Sequence, residues 1–475
     1  MKKEILSFFT KEKIILILIC CIFFVGYSYL AILKHINLRT ALFDFGLEHQ
    51  VVWNTANLRL FQSGVEVPIY LGDHFSPITS IVALIYKVIP GDFTLLLLQV
   101  FAVTICLPVI YRLSQKYIGY KLFSFLLVIV FALYSGVSGV LLFDYHPIVF
   151  AFPFLLYAIY YWLVKRNIRL VVLLFVLATF CKEDVGIFVA GFGIFIAIFE
   201  RNRKALLLTI YGLLISFSTL FLLIPFIRHE PSDTIVRYGF WFTEKGFNWE
   251  LFKHPRQIFN YLADEYKLVY LFKLFAPFAF IPLLFVPLII LFFPNLLINL
   301  ISNSTAQNSS DAQYDIMITV GIFLSFIFGL RYVKNLHKIS KYFSKFLVVL
   351  SVFMIVSNIM ILPHSKIVKE YDAVLSHSRL QDYQYIQSLK NRIPNNLIIA
   401  TSNGIGGQFG DREHLQLFDP RWIVYSVEPD IVIVDKVENN NEEVRNRIKE
   451  KLDTTFKLYK ETDSFVIIEK KELNL

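Results

Sequence analysis

The chain has 475 residues, of which 56% are hydrophobic and only 17% are charged, a composition that excludes an ordinary soluble domain. The formal net charge is +9; the positive excess lies in short loops of the membrane part, while the tail from Lys366 onward is slightly acidic. No basic stripe is present, which argues against a nucleic-acid-binding protein. We therefore expect a polytopic α-helical membrane protein.

Apolar runs long enough for transmembrane helices recur along the first three quarters of the chain. The basic N-terminus is followed by a long apolar run without a small-residue cleavage site, which favours an uncleaved first helix over a signal peptide. About eleven transmembrane helices are predicted, at 14–33, 94–112, 122–142, 147–164, 168–181, 185–200, 205–227, 268–285, 286–301, 315–333 and 345–362. The apolar stretch 75–89 is interpreted as a re-entrant or interfacial helix.

Alternate connecting loops are rich in Lys and Arg, and the loops between them are not. Because basic loops usually face the cytoplasm, this pattern predicts a multi-pass protein of the cell membrane with a cytoplasmic N-terminus. The predicted transmembrane domain covers 1–363 and has two large external loops, 34–93 and 228–267. The second loop mixes aromatic and charged residues, which predicts an interfacial segment. The remaining residues, 364–475, are predicted to form an extracytoplasmic α/β domain.

Alternating short apolar runs and charged segments predict the elements of this C-terminal domain. The predicted elements are helices over 372–392 and 442–453, strands at 397–400 and 429–435, and a hairpin of 455–459 with 465–469. The glycine-rich segment 404–410 follows a predicted strand, but no clear helix start follows it. We interpret it as a turn and not as a phosphate loop.

Asp44 follows the first predicted helix and lies at the membrane surface. Asp44 and Glu48 are four residues apart, so a helix would place both carboxylates on one face, with Gln50 and Trp53 nearby. A carboxylate in this position could act as a general base on a hydroxyl, and the pair could hold a divalent cation. The structural alternative is a solvated helix start.

Two Asp and His pairs, Asp73 with His74 and Asp144 with His146, occur in predicted external turns. They could cap the helices that follow, or they could place a carboxylate and an imidazole in a cavity at the membrane surface. In a cavity, these groups would suit a phosphate or a metal ion.

Lys182, Glu183 and Asp184 are consecutive charges that interrupt a long apolar stretch. The interruption is too short for an ordinary loop, so the charges lie near the level of the membrane. Charges at that level are costly, are usually paired and often mark a site. A tight solvated turn with an internal ion pair is the alternative.

The motifs around Asp44, Asp73, Asp144 and Lys182 occur in an order and spacing that resemble a family of prokaryotic multi-pass membrane proteins, domain of unknown function 2079. The resemblance runs from about Ile32 to the C-terminus. That family looks like a branch of the C-type glycosyltransferase superfold, whose members use a lipid-phosphate-linked sugar donor on the external membrane face. Their base or metal-binding carboxylate lies in the first external loop, where Asp44 is the matching position. The family often has a histidine-containing stretch where this chain has none, at 311–315.

The resemblance implies an inverting glycosyl transfer in which Asp44 deprotonates an acceptor hydroxyl and a polyprenyl phosphate leaves. Substrate-binding roles are expected for Gln50, Trp53, Asn54, His74, Asp144, His146, Lys182, Glu183, Asp184, Arg228 and Arg237, and a metal-binding role for Glu48 and Asp73. A divalent metal ion is the one cofactor expected. The expected partners are membrane lipid, a polyprenyl-phosphate-linked sugar and a glycan, lipid or protein acceptor, with no nucleic acid.

Two other functions are compatible with the same residues. A transporter or flippase of lipid-linked envelope precursors would line its path with these charges, but it would place them deep within several helices. A non-catalytic envelope assembly protein would use the C-terminal domain as its binding module.

Overall fold

The computed structural model describes the chain except for residues 1–10, 66, 230–236, 244–245, 337–340, 362–370, 373, 377, 419–426, 440–441 and 474–475. The described chain is divided into two compact units, each built from separate stretches of sequence. The first unit contains Met1–Ser28, Gln99–Phe143 and Ile148–Glu370, and the second contains Tyr29–Leu98, Asp144–Pro147 and Tyr371–Leu475.

Among the described residues, six helices are long and apolar enough to cross a membrane, or seven if one bent pair forms a single span. The six are Lys11–Ile36, Asp92–Tyr117, Pro147–Lys165, Arg203–Arg228, Gln313–Lys334 and Phe343–Ile361, and the bent pair is Lys121–Leu133 with Ser135–Leu142. All seven coincide with predicted spans. The chain is therefore a multi-pass membrane protein.

The other four predicted spans coincide with shorter helices, so the count of eleven stays a prediction. They correspond to Ile168–Thr179, Val185–Phe199, Val286–Leu300 and the broken run Glu265–Phe275, Ala276–Phe278 and Ile281–Leu284. Prolines divide the broken run, because proline removes a backbone donor. The helix Thr79–Val88, in the stretch interpreted as re-entrant or interfacial, is about 15 Å long, half the thickness of a bilayer core.

Small residues allow close helix packing in the first unit. A methyl group at Gly186 would lie 2.5 Å from the Gly212 carbonyl oxygen, and one at Gly193 would lie 2.5 Å from the Thr209 hydroxyl. These glycines join the helices Val185–Phe199 and Leu206–Ser218 at a distance that larger residues would prevent.

The strands of the described residues form two sheets. In the first unit, β1 (Phe242–Thr243) and β2 (Gly246–Phe247) make a short antiparallel pair. The second unit contains β3 (Ile399–Thr401), β4 (Leu415–Leu417), β5 (Ile431–Asp435), β6 (Phe456–Glu461) and β7 (Phe465–Lys470), with helices Leu380–Lys390, Asn403–Gly406 and Glu442–Thr454. The five-stranded sheet has the order β4-β3-β5-β7-β6, in which β4, β3 and β5 are parallel and β7 and β6 are antiparallel.

The predicted strands and hairpin of the C-terminal domain are confirmed as β3, β5 and the β6–β7 pair. Sequence reasoning missed β4, which has three residues and lies at the sheet edge. The prediction of a simple turn at 404–410 is wrong, since two short helices, Asn403–Gly406 and Gly407–Phe409, occupy it.

The hydrophobic core of the second unit is built from two distant parts of the sequence. The segment 34–93, predicted as an external loop, contributes Leu38, Leu42, Leu47, Val51, Val65 and Tyr70, and the tail contributes residues such as Ile386, Ile405, Phe409, Leu415 and Ile467. The predicted domain border at 363–364 lies outside the described residues, and the predicted domain assignment stays a prediction. Within the second unit, the loop and the tail share one core.

Candidate functional site

Asp44 lies on a helical irregularity of the second unit. Residues Leu42–Gly46 form one π-helical turn, closed by a hydrogen bond from the Gly46 N–H to the Ala41 carbonyl oxygen (2.9 Å), and the helix Leu47–Ala56 follows. Such turns are frequent at functional sites. The Asp44 side chain is 32% exposed, so it can contact a bound molecule.

His146 is the ion-pair partner of Asp44. Its Nε2 lies 3.4 Å from Asp44 Oδ1, and its Nδ1 lies 3.1 Å from the Asp144 carbonyl oxygen. A carbonyl oxygen only accepts, so Nδ1 carries a proton and Nε2 faces the carboxylate. Burial alone would lower the pKa of His146, but the Asp44 carboxylate, Glu48 and the Asp144 carbonyl oxygen together more than offset this, so its pKa is raised. The geometry favours an imidazolium paired with Asp44.

Glu48 is a buried carboxyl group in the helix after Asp44. Its side chain is 2% exposed, its Oε1 accepts a short hydrogen bond from the Tyr70 hydroxyl, and its Oε2 has no hydrogen-bond partner. Burial raises the pKa of Glu48 to about 7, although the charge of His146 and the Tyr70 hydrogen bond act in the opposite direction. Near neutral pH, Glu48 therefore exists in both protonation states.

Asp73 and His74 complete this cluster. The His74 Nε2 lies 3.8 Å from Asp73 Oδ2, and its ring packs edge-on against Tyr70 with centroids 6.2 Å apart. The charges of both residues act on Glu48. The second unit thus brings five of the predicted site residues together: Asp44, Glu48, Asp73, His74 and His146.

Asp144 lies beside the cluster but is used in structural contacts. Its Oδ2 accepts the Ala41 N–H at 2.7 Å, and its Oδ1 lies 2.9 Å from Lys34 Nζ, with both side chains almost fully buried. Ala41 immediately precedes the turn that carries Asp44. The contacts of Asp144 therefore help to position the turn that carries Asp44. The substrate-binding role of Asp144 stays a prediction.

Gln50 joins the first loop to the tail. Its Nε2 donates to the Glu413 carbonyl oxygen (3.0 Å), and its Oε1 accepts the Gly64 N–H (2.9 Å). The side chain is fully buried. Both ends of the amide are thus used within the protein, and the predicted substrate-binding role of Gln50 stays a prediction.

Asn54 and Trp53 have similar contacts in the same loop. The Asn54 Nδ2 donates to the Gln62 carbonyl oxygen (3.1 Å), and its Oδ1 accepts from Arg59 Nε (2.9 Å). The Arg59 guanidinium also lies 5.0 Å from the centre of the Trp53 ring. These contacts hold the loop in shape, and a role in substrate binding stays a prediction for both residues.

Lys182 lies in a charged cluster of the first unit. Its Nζ lies 5.1 Å from the centre of the Tyr314 ring, and Arg237 Nη1 donates to the Tyr314 hydroxyl at 3.2 Å. Burial alone would lower the pKa of Lys182, but the carboxylates of Asp184 and Glu183 more than offset this, so its pKa is raised. The residue is therefore held as a cation.

The other predicted residues of the first unit have mixed environments. Glu183 is buried, and its carbonyl oxygen accepts from the Ser216 hydroxyl at 2.6 Å. Arg228 is half-buried and ends the short helix Ile224–Arg228. Lys182 to Asp184, Arg228 and Arg237 belong to a different unit from Asp44, and a common site stays a prediction.

The predicted metal site is a pair of carboxylates. Within the described parts of the chain, three or more His, Cys, Asp or Glu side chains are nowhere grouped so that they could hold a metal ion. Glu48 and Asp73 interact electrostatically, but Glu48 is partly protonated near neutral pH and a metal ligand must be ionised. The metal role of this pair therefore stays a prediction.

Several residues at these clusters were missed by sequence reasoning. Tyr70 precedes Asp73 by three residues, and that spacing within a short turn was the only available signal. Lys34 lies in the first apolar helix, where a lysine at the end of a span is common. Tyr314 is distant in sequence from both cations that it contacts, and no local pattern predicts it.

The sequence matches the family of predicted membrane proteins designated DUF2079 over residues 34–467. The chain belongs to this family. No curated protein sequence is a significant match to the chain.

Among solved structures, the chain is similar to ArnT from Cupriavidus metallidurans, whose crystal structure is described as bound to undecaprenyl phosphate. The TM-score is 0.53 at 10% sequence identity, and the match covers 94% of this chain and 97% of ArnT. The DUF2079 chain therefore shares the fold of ArnT along nearly its whole length.

Proposed function

We propose that this DUF2079 protein is a membrane glycosyltransferase that moves a sugar from a polyprenyl-phosphate-linked donor to an acceptor on the external membrane face. The observation that carries the proposal is the Asp44–His146 pair within a cluster of carboxylates and imidazoles. The fold shared with ArnT supports it, because that protein binds undecaprenyl phosphate.

In the proposed reaction, Asp44 accepts the proton of the acceptor hydroxyl. The freed oxygen attacks the anomeric carbon, the bond from that carbon to the phosphate oxygen breaks, and the polyprenyl phosphate leaves. The imidazolium of His146 holds the Asp44 carboxylate by one oxygen and fixes its orientation. A single displacement inverts the anomeric centre.

The leaving phosphate develops negative charge and needs nearby cations. Lys182 and Arg237 are the cations that we propose for this role, since both are organised around Tyr314 in the first unit. Arg228 is a further candidate. Lys182 is half-buried and its charge is maintained by two carboxylates, as a fixed electrostatic group requires.

The first test is direct binding of the lipid. Purified protein in detergent is mixed with undecaprenyl phosphate, and bound lipid is counted by native mass spectrometry. We expect binding by the wild type and at least tenfold weaker binding by Lys182→Ala and Arg237→Ala. The exposed Lys253→Ala serves as the matched control. Equal binding by all four proteins would remove the phosphate assignment.

The second test separates binding from chemistry. Asp44→Asn is expected to bind the lipid normally but to abolish consumption of polyprenyl-phosphate-linked sugars in a panel of donors. Asp463→Asn, the same change at an exposed residue of the tail, is the control and should leave turnover unchanged. Turnover retained by Asp44→Asn would show that Asp44 is not the base.

A further inference from the structure

The tail of the protein contacts the turn that carries Asp44. Within the second unit, the segment 403–410 packs against 37–49, and both contribute to one core. A methyl group at Gly406 would lie 2.5 Å from Leu42 Cβ, and one at Gly407 would lie 2.5 Å from the Thr40 carbonyl oxygen. The glycines are therefore required for close approach, which explains the motif that sequence reasoning took for a turn.

Polar contacts fix the same interface in register. Asn403 Oδ1 accepts the Phe43 N–H at 3.2 Å, directly before Asp44 in the chain. Gln408 Nε2 donates to the His35 carbonyl oxygen at 3.0 Å. Because these bonds involve backbone groups of the loop, they constrain its path and not only its side chains.

The segment 403–410 contacts the loop next to the carboxyl ends of two parallel strands. Ser402 follows β3 and Asp435 ends β5, so both lie at the carboxyl edge of adjacent parallel strands. Ligands of open α/β sheets usually bind in the crevice at that edge, where the connections diverge. Here the loop itself contacts the edge, because the Leu38 carbonyl oxygen lies 3.7 Å from the position of a methyl group at Gly404.

We propose that the tail segment 403–410 is a positioning element for Asp44, with Asn403, Gly406 and Gly407 as positioning residues. The tail binds the segment 37–49 at the carboxyl edge of β3 and β5, the position at which other α/β domains bind a ligand. This places the Asp44 carboxylate opposite His146. The catalytic meaning of this role rests on the proposed function, but the positioning itself does not.

The test compares two glycines of the same segment. Gly407→Ala would place a methyl group 2.5 Å from a backbone oxygen, whereas the methyl group of Gly404→Ala would meet the end of the Glu438 side chain at 3.0 Å and the Leu38 carbonyl oxygen at an ordinary contact distance of 3.7 Å. Amide hydrogen exchange is measured on the full-length protein in lipid nanodiscs. We expect exchange across 41–50 at least tenfold faster in Gly407→Ala and within twofold of the wild type in Gly404→Ala. Equal exchange in the two variants would overturn the proposal.

Asn403 provides a second test if Gly407→Ala does not fold. Asn403→Ala removes the acceptor of the Phe43 N–H, and we expect about fivefold faster exchange at Phe43 and Asp44. Asn403→Asp keeps an acceptor oxygen and should restore slow exchange. No difference between the two variants would contradict the positioning role.

The pKa of His146 gives a readout that tail stability alone would not change. It is measured from the pH dependence of hydrogen exchange at the imidazole C2 position, followed by mass spectrometry. If Asp44 moves away, the pKa of His146 should fall in Gly407→Ala and Asn403→Ala but not in Gly404→Ala. An unchanged pKa in all three would overturn the proposal, whereas turnover retained by Asp44→Asn would refute only the proposed function.

Discussion

Replacement of Glu48 by Gln tests the electrostatics of the candidate site. Glu48 is almost fully buried, and burial raises its pKa from 4.5 to about 7. At about 1.36 kcal/mol per pKa unit, this interval corresponds to about 3 kcal/mol. Gln keeps the size of the side chain and an acceptor for the Tyr70 hydroxyl, but it carries no charge at any pH.

The sign of the effect follows from proton binding. Between pH 4.5 and about 7 the folded protein holds a proton on Glu48 that the unfolded chain releases, so stability falls as the pH rises through this window. Glu48→Gln removes this dependence. Its stability relative to the wild type should therefore increase by up to about 3 kcal/mol from pH 4.5 to pH 8. The pKa of about 7 already includes the attraction between ionised Glu48 and His146.

The assay is thermal unfolding in detergent at several pH values. The quantity compared is the melting temperature of Glu48→Gln minus that of the wild type at the same pH. For a unit of about 180 residues, 3 kcal/mol corresponds to a change of about 6–12 °C in this difference between pH 4.5 and pH 8. Glu461→Gln changes an exposed glutamate of the tail and should show no such trend. A difference between Glu48→Gln and wild type that is constant from pH 4.5 to pH 8 would refute the assignment of a buried, proton-sharing carboxyl.

Three further predictions concern the surrounding residues. Lys34→Met should lower the free energy of unfolding by about 3–5 kcal/mol because the buried Asp144 carboxylate loses its partner, and adding Asp144→Asn should restore most of it, as measured by thermal unfolding. Gln50→Ala should cost about 1–3 kcal/mol of stability without changing the KM for the donor, and a large rise in KM at normal stability would instead support substrate binding. Trp249 is 73% exposed in the segment predicted to be interfacial, so Trp249→Phe should remove much of the fluorescence that brominated lipids quench, whereas equal quenching would place it away from the bilayer.

Hydropathy was sufficient to predict the long helices, because a membrane span needs a run of apolar residues that local sequence records directly. The β6–β7 hairpin was predictable for a similar reason, since its strands are adjacent in sequence. The edge strand β4 was missed because its three residues pair with β3 through non-local backbone hydrogen bonds. A periodicity argument cannot detect so short an element.

The candidate site was predictable in part. Asp44 lies in the turn Leu42–Gly46 and Glu48 in the helix that follows it, and the charges of both act on His146. The four-residue spacing was enough to suggest that the two belong to one site. The convergence of His146 with Asp44 depends on tertiary packing, and the sequence suggested it only through the predicted topology and the resemblance to a family. The glycine motif was misread for the same reason, because the atoms that require Gly407 belong to Thr40, more than three hundred residues earlier.

The shared core of the second unit also determines when that unit can form during synthesis. About 270 residues separate Leu98 from Tyr371, the borders of the two long stretches of sequence that form this unit. At about 5–20 residues per second, the segment 34–93 is synthesised roughly 14–54 s before the tail that completes its core. During that interval Leu38, Leu42 and their neighbours lack the tail residues that cover them. A nascent chain that stalls before the tail would therefore present an unfinished apolar surface to chaperones and proteases, which gives the cell a means of removing incomplete copies.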